Sequence, residues 1–306
     1  MQPFLWKKVS ARMLVSMSDS GDGTERITLA TLQACKETGR KFSVLTCYDA
    51  PTARLMASAG VEILLVGDTA GEVVLGLPRT REVPIEFMVH ITAAVRRGAP
   101  NAFVMADLPY QCTVDGPAKT VEWCRRFRDE TGCDGIKIEV TAAQAALVSA
   151  VRDAGIAVVA HLGLLPQSIE SPSGYRAQGR DAAGAQRLLT ETHQIEEAGA
   201  SMLLLEAVAS ETAGEITART KLPVIGCVSG PRCDGTVVVL HDMLGLGGGH
   251  PPRAVKRYEN LSELMTRAFR AYVEDIHAGR FPTDEQAIHM HAGEHEKLLR
   301  ASGAKR

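Results

Sequence analysis

The residues with chemical potential in this chain recur at one kind of place, the end of a short apolar run. Asp68 and Thr69 follow "EILLVG", Asp107 closes "AFVMAD", and Lys137 and Glu139 stand two apart in "GIKIE". His161 ends "VVAH", Glu206 ends "LLLE", and Asp49, His241 and Asp242 follow similar runs. A carboxylate at the end of a buried segment is costly unless something pairs with it. Each Asp taken alone is equally well explained as the N-cap of a following helix, and a single His161 as a satisfied core histidine. Capping does not explain why polar residues recur on successive runs.

Asp68, Asp107 and Glu139 offer three carboxylates, with no Cys-x-x-Cys and no clustered histidines to make a softer site. All-oxygen ligation suits a hard divalent cation, Mg2+ or in its place Mn2+, rather than Zn2+. Such an ion can chelate a 2-oxo acid through its carboxylate and keto oxygens and stabilise an enolate as a Lewis acid. Lys137 and His161 are placed to hold the acid's carboxylate or keto oxygen. Glu206 lies inside the apolar run "LLLEAV". Desolvation there is expected to raise its pKa and make it a better general base.

The elements that would carry these residues follow one rhythm. Eight apolar, β-branched-rich runs cover 42–49, 61–68, 102–109, 135–140, 156–163, 201–208, 222–230 and 236–245. Between most of them lie longer stretches of helical period, several ending in Ala-Gly or Arg-Gly, which suits a helix C-terminus. Near-continuous apolar strands separated by helices imply a parallel sheet covered on both faces. Eight such units predict an α/β fold, a (β/α)8 TIM barrel, whose C-terminal strand ends converge on one face and hold the active site. A doubly wound open sheet is the rival, but the Gly-x-Gly-x-x-Gly dinucleotide fingerprint is missing after the first strand. The glycines around Gly247 follow the last run and read as a loop. The segment "NLSELMTRAFRAYVEDIHAG" reads as one amphipathic C-terminal helix added to the barrel.

Composition limits the alternatives. With 306 residues and 45% of them hydrophobic, the chain can bury a large single core. A net charge of -2 argues against a nucleic-acid binder. No apolar run is long enough to span a bilayer, and the N-terminus lacks a signal-peptide pattern. Seven scattered cysteines, an odd number, predict free thiols in a cytoplasmic protein. Residues 1–26 read as a flexible extension, 27–285 as the catalytic barrel, and 286–306 as a polar, partly disordered tail. His289, His291 and His295 in that tail read as solvated rather than as a metal site.

The motifs "ILLVGDT", "HITAAVRRGAP", "ADLPY", "GIKIE", "AHLGLLPQS", "GYRAQGR", "LLLEAV", "HDMLGL", "GGHPP" and "VKRYENL" span most of the chain. They strongly resemble the ketopantoate hydroxymethyltransferase family, of the phosphoenolpyruvate mutase/isocitrate lyase superfamily. The resemblance implies Mg2+ placed by Asp68, Asp107 and Glu139. It implies a 2-oxo acid, 3-methyl-2-oxobutanoate, bound among Asp68, Thr69, Asp107, Lys137 and His161, with Glu206 taking the proton from C3. It also implies 5,10-methylenetetrahydrofolate as co-substrate and a homo-oligomer, expected as a decamer.

Several positions depart from the family pattern. Thr69 stands where the family usually has Ser. "GCVSG" at 226–230 replaces Gly-Ile-Gly-Ala-Gly, so Cys227 and Val228 are unusual. "DGT" at 234–236 replaces Asp-Gly-Gln, "RTREVP" at 79–84 replaces a Thr-Thr-Leu-Pro-like loop, and Ser173 precedes the usual Gly-Tyr. Most of these changes are expected on loops that line a barrel mouth. They leave room for a relative acting on another 2-oxo acid, or for an inactive scaffold subunit. The intact set of carboxylates, Lys137 and His161 weighs against the scaffold.

Overall fold

Each of the eight apolar runs coincides with or overlaps a strand in the computed structural model, which describes residues 25–169, 175–247 and 255–302. The strands are β1 (Phe42–Thr46), β2 (Ile63–Val66), β3 (Phe103–Asp107) and β4 (Gly135–Glu139). They continue with β5 (Val158–Gly163), β6 (Met202–Glu206), β7 (Val224–Cys227) and β8 (Gly235–Val238). All neighbours pair in parallel, and β1 pairs with β8, so the sheet closes into the expected barrel. Strands are shorter than the apolar runs because each run also includes the turn that leaves the sheet.

The last run shows this most clearly. β8 stops at Val238, and Leu240–Leu244 is helical. The Thr46 hydroxyl accepts a hydrogen bond from the Leu240 backbone N–H at 2.9 Å, where the chain leaves the strand. His241 and Asp242, expected at a strand end, therefore sit on that short helix.

Helices α1 (Leu29–Thr38), α2 (Ala50–Ser58), α3 (Ile85–Gly98), α4 (Pro117–Thr131), α5 (Ala145–Asp153), α6 (Ala182–Glu197) and α7 (Ser210–Arg219) surround the strands. Their starts are written locally. Thr28 and Thr31 form a capping box at α1. Asp49 accepts from Thr52 N–H at 2.8 Å at the start of α2, so here the capping reading of a strand-end Asp is the correct one. Asp181 does the same for α6.

Strand side chains alternate between the barrel interior and the surrounding helices. The interior cluster takes Val44 from β1, Leu65 from β2, Met105 from β3, Val159 from β5, Leu204 from β6, Ile225 from β7 and Val237 from β8. Two residues farther along the same faces come Thr46, Gly67, Asp107, His161, Glu206, Cys227 and Val239, and all seven line one cavity. One parity of each strand thus carries the apolar core below and the polar site above. Toward the strands' N-terminal ends, Phe42 and Phe103 fill the interior. A Cβ at Gly235 would lie 2.2 Å from the Phe42 ring, and one at Gly135 would lie 3.2 Å from the Phe103 ring. These two interior glycines make the rings fit.

That lower end is tied by carboxylates that accept from strand backbone. Glu62 accepts from Ser43 N–H at 2.8 Å, Asp134 from Val104 N–H at 2.8 Å, and Asp234 from Val224 N–H at 2.9 Å. Arg40, Arg96 and Lys36 supply their respective countercharges.

The chain divides into two compact units, the first running to His241. The second includes 242–247 and the residues from Lys256 onward. It contains α8 (Leu261–His277), the expected C-terminal helix, with Phe269, Tyr272 and Val273 exposed. Where a polar tail is expected, it also carries α9 (Glu294–Ala301). His289, His291 and His295 are not buried. The expected extension falls almost wholly outside the described residues, as do Ser173 and the "GGHPP" motif. All seven cysteines are free, and no described helix is long and apolar enough to cross a membrane.

Candidate active site

The C-terminal ends of the strands enclose a cavity of about 130 Å³. Asp68, Thr69, Asp107, Lys137, Glu139, His161 and Glu206, all the candidates for catalysis and binding, line it. Asp49, His241 and Asp242 do not. A larger depression of about 690 Å³ runs along α8, but its lining from Asn260 to Glu274 contains no buried polar group.

Strand register places the charges against one another. Asp107 on β3 is level with Lys137 on β4, and Glu139 with His161 on β5. Lys137 Nζ donates to both Asp107 carboxylate oxygens at 2.7 Å. Asp107 also accepts from the Asp68 backbone N–H at 3.1 Å. Glu139 accepts at both oxygens from the Gln167 backbone N–H at 3.2 Å, and Asp68 accepts from the Gln167 side-chain amide at 2.9 Å. The Thr69 hydroxyl lies 2.8 Å from the Tyr48 hydroxyl.

Glu206 stands farther out. Its side chain keeps 22% exposure, so the deep burial expected from "LLLEAV" is only partial. Its carboxylate lies 3.4 Å from His161 Nε2, while His161 Nδ1 is 3.7 Å from Glu139. Neither contact has hydrogen-bond geometry, and both ring nitrogens of this buried histidine lack a hydrogen-bond partner. A buried, unpartnered imidazole facing a cavity is an opening for a ligand.

Directly after Glu206 and Cys227, which are level on β6 and β7, the chain turns through left-handed backbone at Ala207 (φ 49°) and Val228 (φ 53°). The bends are fixed by hydrogen bonds, Ala207 N–H to Cys227 O at 2.9 Å and Ser229 Oγ to Leu205 O at 2.8 Å. Non-glycine residues there are strained, and such strain concentrates at functional sites.

Charge is unbalanced in the cavity, with four carboxylates facing it against the one ammonium of Lys137. Burial pushes the Asp107 carboxyl up, to about 7, with Lys137 opposing and Asp68 adding to the rise. Burial also pushes Glu139 up, to about 8, again opposed by Lys137 and assisted by Asp68. Burial works against the charge on Lys137, but Asp107, Asp68 and Glu139 outweigh it and hold its pKa above the ordinary lysine value. Burial and the Lys137 charge lower His161, which favours the neutral ring. Burial and Glu206 push the Cys227 thiol up to about 12, so it is a neutral wall rather than a nucleophile.

This imbalance bears on a metal. Among the described residues, no three His, Cys, Asp or Glu side chains stand close enough to hold one ion as placed. Lys137 and Gln167 take up the carboxylates instead. The donor chemistry still fits a hard divalent cation. Asp68, Asp107 and Glu139 are buried and line the same cavity, no thiolate or second imidazole competes with them, and the raised Asp107 and Glu139 carboxyls mark missing positive charge.

The sequence reading missed Gln167 and Tyr48. A faint signal existed for each. Gln167 is the one amide in "AHLGLLPQS", six residues past His161, and Tyr48 directly precedes Asp49 at the end of its run.

Comparison with known proteins bears on the family and the fold. The model of the ketopantoate hydroxymethyltransferase family matches residues 26–284. A 3-methyl-2-oxobutanoate hydroxymethyltransferase of Trichlorobacter lovleyi is 41% identical over 264 residues, covering 86% of this chain and 99% of the relative. The enzyme of that name from Corynebacterium jeikeium is 42% identical, covering 87% of this chain and 94% of the relative. Among solved structures, a 2,3-dimethylmalate lyase of the PEP mutase/isocitrate lyase superfamily aligns with a TM-score of 0.55 at 15% identity, covering 90% of this chain and 98% of the other. A phosphonopyruvate hydrolase complexed with oxalate and Mg++ aligns with a TM-score of 0.55 at 13% identity, covering 90% of this chain and 98% of the other. At those identities the likeness shows the fold alone.

Proposed function

Because the chain belongs to the ketopantoate hydroxymethyltransferase family, we propose that it transfers a hydroxymethyl group to C3 of 3-methyl-2-oxobutanoate, giving 2-dehydropantoate. The one-carbon donor is 5,10-methylenetetrahydrofolate, and water supplies the hydroxyl. The observation that carries this reading is the convergence of Asp68, Thr69, Asp107, Lys137, Glu139, His161 and Glu206 on one small cavity.

Asp68, Asp107 and Glu139 would hold a divalent cation, Mg2+ or Mn2+. When bound, it would supply Lewis-acid polarisation of the 2-oxo acid. The chain's own groups do the rest. The Lys137 ammonium and the neutral His161 ring offer donors to the acid's oxygens. The Thr69 hydroxyl, fixed by Tyr48, offers another at the rim. Glu206, at the more open side of the cavity, takes the proton from C3 as the C–H bond breaks. Water adds to the donor's methylene carbon as its two C–N bonds break, releasing tetrahydrofolate and leaving the carbon at the formaldehyde level. The electron pair left on C3 adds to that carbon, and its oxygen takes up a proton to become the hydroxyl. Cys227 and Leu204 wall the cavity beside Glu206 without offering charge.

A second reading, the same chemistry on a different 2-oxo acid, draws on Cys227, an unusual residue for the family that lines the cavity next to the base. One methylene of difference in a pocket is worth only about 1–3 kcal/mol. Assay of several 2-oxo acids with methylenetetrahydrofolate ranks the two readings. We also propose a homo-oligomer, with the exposed apolar face of α8 as a contact surface, for which native mass measurement is the check. The residue roles are tested by solvent deuterium exchange at C3 of 3-methyl-2-oxobutanoate, with Mg2+ and without folate. Wild type should exchange and Glu206→Gln should not. Exchange by the variant at the wild-type rate would remove Glu206 as the base.

A further inference from the structure

Gln167 is among the most buried polar residues of the barrel, at 2% exposure, and it touches three strand ends at once. Its side-chain amide donates to Asp68 Oδ2 at 2.9 Å, beyond β2, and to the Leu108 carbonyl at 3.1 Å, beyond β3. Its backbone N–H donates to both oxygens of Glu139, the last residue of β4, at 3.2 Å. The residue is delivered by a single 3-10 turn, Pro166–Ser168, that follows β5. Pro166 restricts the backbone at the start of that turn and itself lines the cavity.

We infer that Gln167 is a positioning residue for the cation site, holding the Asp68 and Glu139 carboxylates apart and facing inward. The inference rests on the proposed cation reading. A neutral amide suits the task in three ways. It binds carboxylate oxygens by donation, as a backbone N–H does. It adds no positive charge that would compete with a cation, unlike Lys137 beside Asp107. Its second donor is spent on the Leu108 carbonyl, which locks the amide plane and prevents it from following Asp68 into a different rotamer. Partners that orient ligands in this way typically contribute 10–100-fold to metal affinity or activity.

The backbone contact to Glu139 survives substitution, so Gln167→Met removes only the two side-chain bonds at nearly unchanged volume. The test measures Mn2+ binding to the substrate-free protein by electron paramagnetic resonance, with circular dichroism to verify folding. Steady-state kinetics accompany it. Gln167→Met should bind Mn2+ about 10–100-fold more weakly while remaining folded. Its KM for the 2-oxo acid at limiting Mn2+ should rise and be restored by excess Mn2+, a rescue that a purely structural defect would not show. If Gln167→Met does not fold, Gln167→Asn, which keeps both amide donors on a shorter arm, carries the same measurement. Mn2+ affinity within twofold of wild type in the folded variant overturns the inference. Asp68→Asn is the control for its premise. If Asp68→Asn is weakened and Gln167→Met is not, the cation site stands and the positioning role falls. If Asp68→Asn binds Mn2+ as wild type does, the cation reading falls, and the inference with it.

Discussion

Lys137→Met isolates the electrostatic core of this site. The ammonium makes two 2.7 Å contacts with Asp107, and both side chains are almost fully buried, at 6% and 1% exposure. Removing one partner of a buried pair leaves the other uncompensated, which costs about 3–5 kcal/mol. At roughly 2–4 °C per kcal/mol for a domain of this size, the melting temperature should fall on the order of 10 °C near pH 8. The cost should depend on pH in a definite direction. Burial already pushes the Asp107 carboxyl up to about 7, and loss of the ammonium pushes it further. A group whose folded pKa is raised contributes stability that is present below its unfolded value, near 4, and lost as pH rises through the folded value. The deficit of Lys137→Met relative to wild type should therefore be small at pH 5 and largest at pH 8. Adding Asp107→Asn to the variant removes the stranded charge and should recover most of the loss. Thermal melts of the wild type, single and double variants at both pH values measure this. A single variant melting within about 2 °C of wild type at pH 8 would refute the reasoning, as would a deficit that shrinks with rising pH.

Three further outcomes are expected. Val228→Gly should stabilise the protein by about 1–2 kcal/mol in denaturant unfolding, because a β-branched residue at φ 53° carries a left-handed penalty that glycine avoids; a loss of stability would count against strain at that bend. Mg2+ or Mn2+ affinity should increase from pH 6 to pH 8, because the carboxyls of Asp107 and Glu139, pushed up to about 7 and about 8, must lose protons to bind a cation; calorimetry showing neither pH dependence nor proton release would contradict this. Tyr48→Phe removes the 2.8 Å contact to the Thr69 hydroxyl, a bond worth about 0.5–1.5 kcal/mol; KM for the 2-oxo acid should rise a few-fold with kcat little changed, and an unaltered KM would detach Thr69 from binding.

The fold was legible because the apolar runs are short, nearly continuous and mostly separated by stretches of helical period, the pattern of a parallel sheet covered on both faces. The site residues were legible as a set. Any one of them has a bland explanation, and for Asp49 that explanation is the right one. His241 and Asp242 misled because apolar content alone does not mark where β8 ends; the Thr46 hydroxyl, from the opposite end of the sequence, receives the chain there. Gln167 and Tyr48 stayed hidden for a related reason. Their importance lies in partners 99 and 21 residues away, and no local spacing announces such contacts. The partial exposure of Glu206 and the left-handed bend at Ala207 directly after it are likewise not signalled by the flanking apolar residues.

The two ends of the barrel use the same residue types under opposite electrostatic rules, and the contrast separates support from chemistry. At the lower end, burial works against ionisation of Glu62, but the Ser43 hydroxyl, the Ser43 N–H and Arg40 outweigh it and hold the carboxyl below its ordinary value. Asp234 accepts from the Val224 N–H and is paired with the Lys36 ammonium. Each of these carboxylates is matched by donors within its own neighbourhood, and nothing remains for a ligand to supply. At the upper end, Asp107 and Glu139 are pushed up instead, because one ammonium serves several carboxylates in a dry cavity. His161 adds a buried ring with neither nitrogen hydrogen-bonded. A fold that satisfies its carboxylates so fully at one end has the means to do so at the other. Leaving them short of positive charge there costs stability, and the shortage is relieved by taking up protons or by what binds. The deficit itself therefore favours the upper face as the working one, on grounds separate from any likeness to another protein.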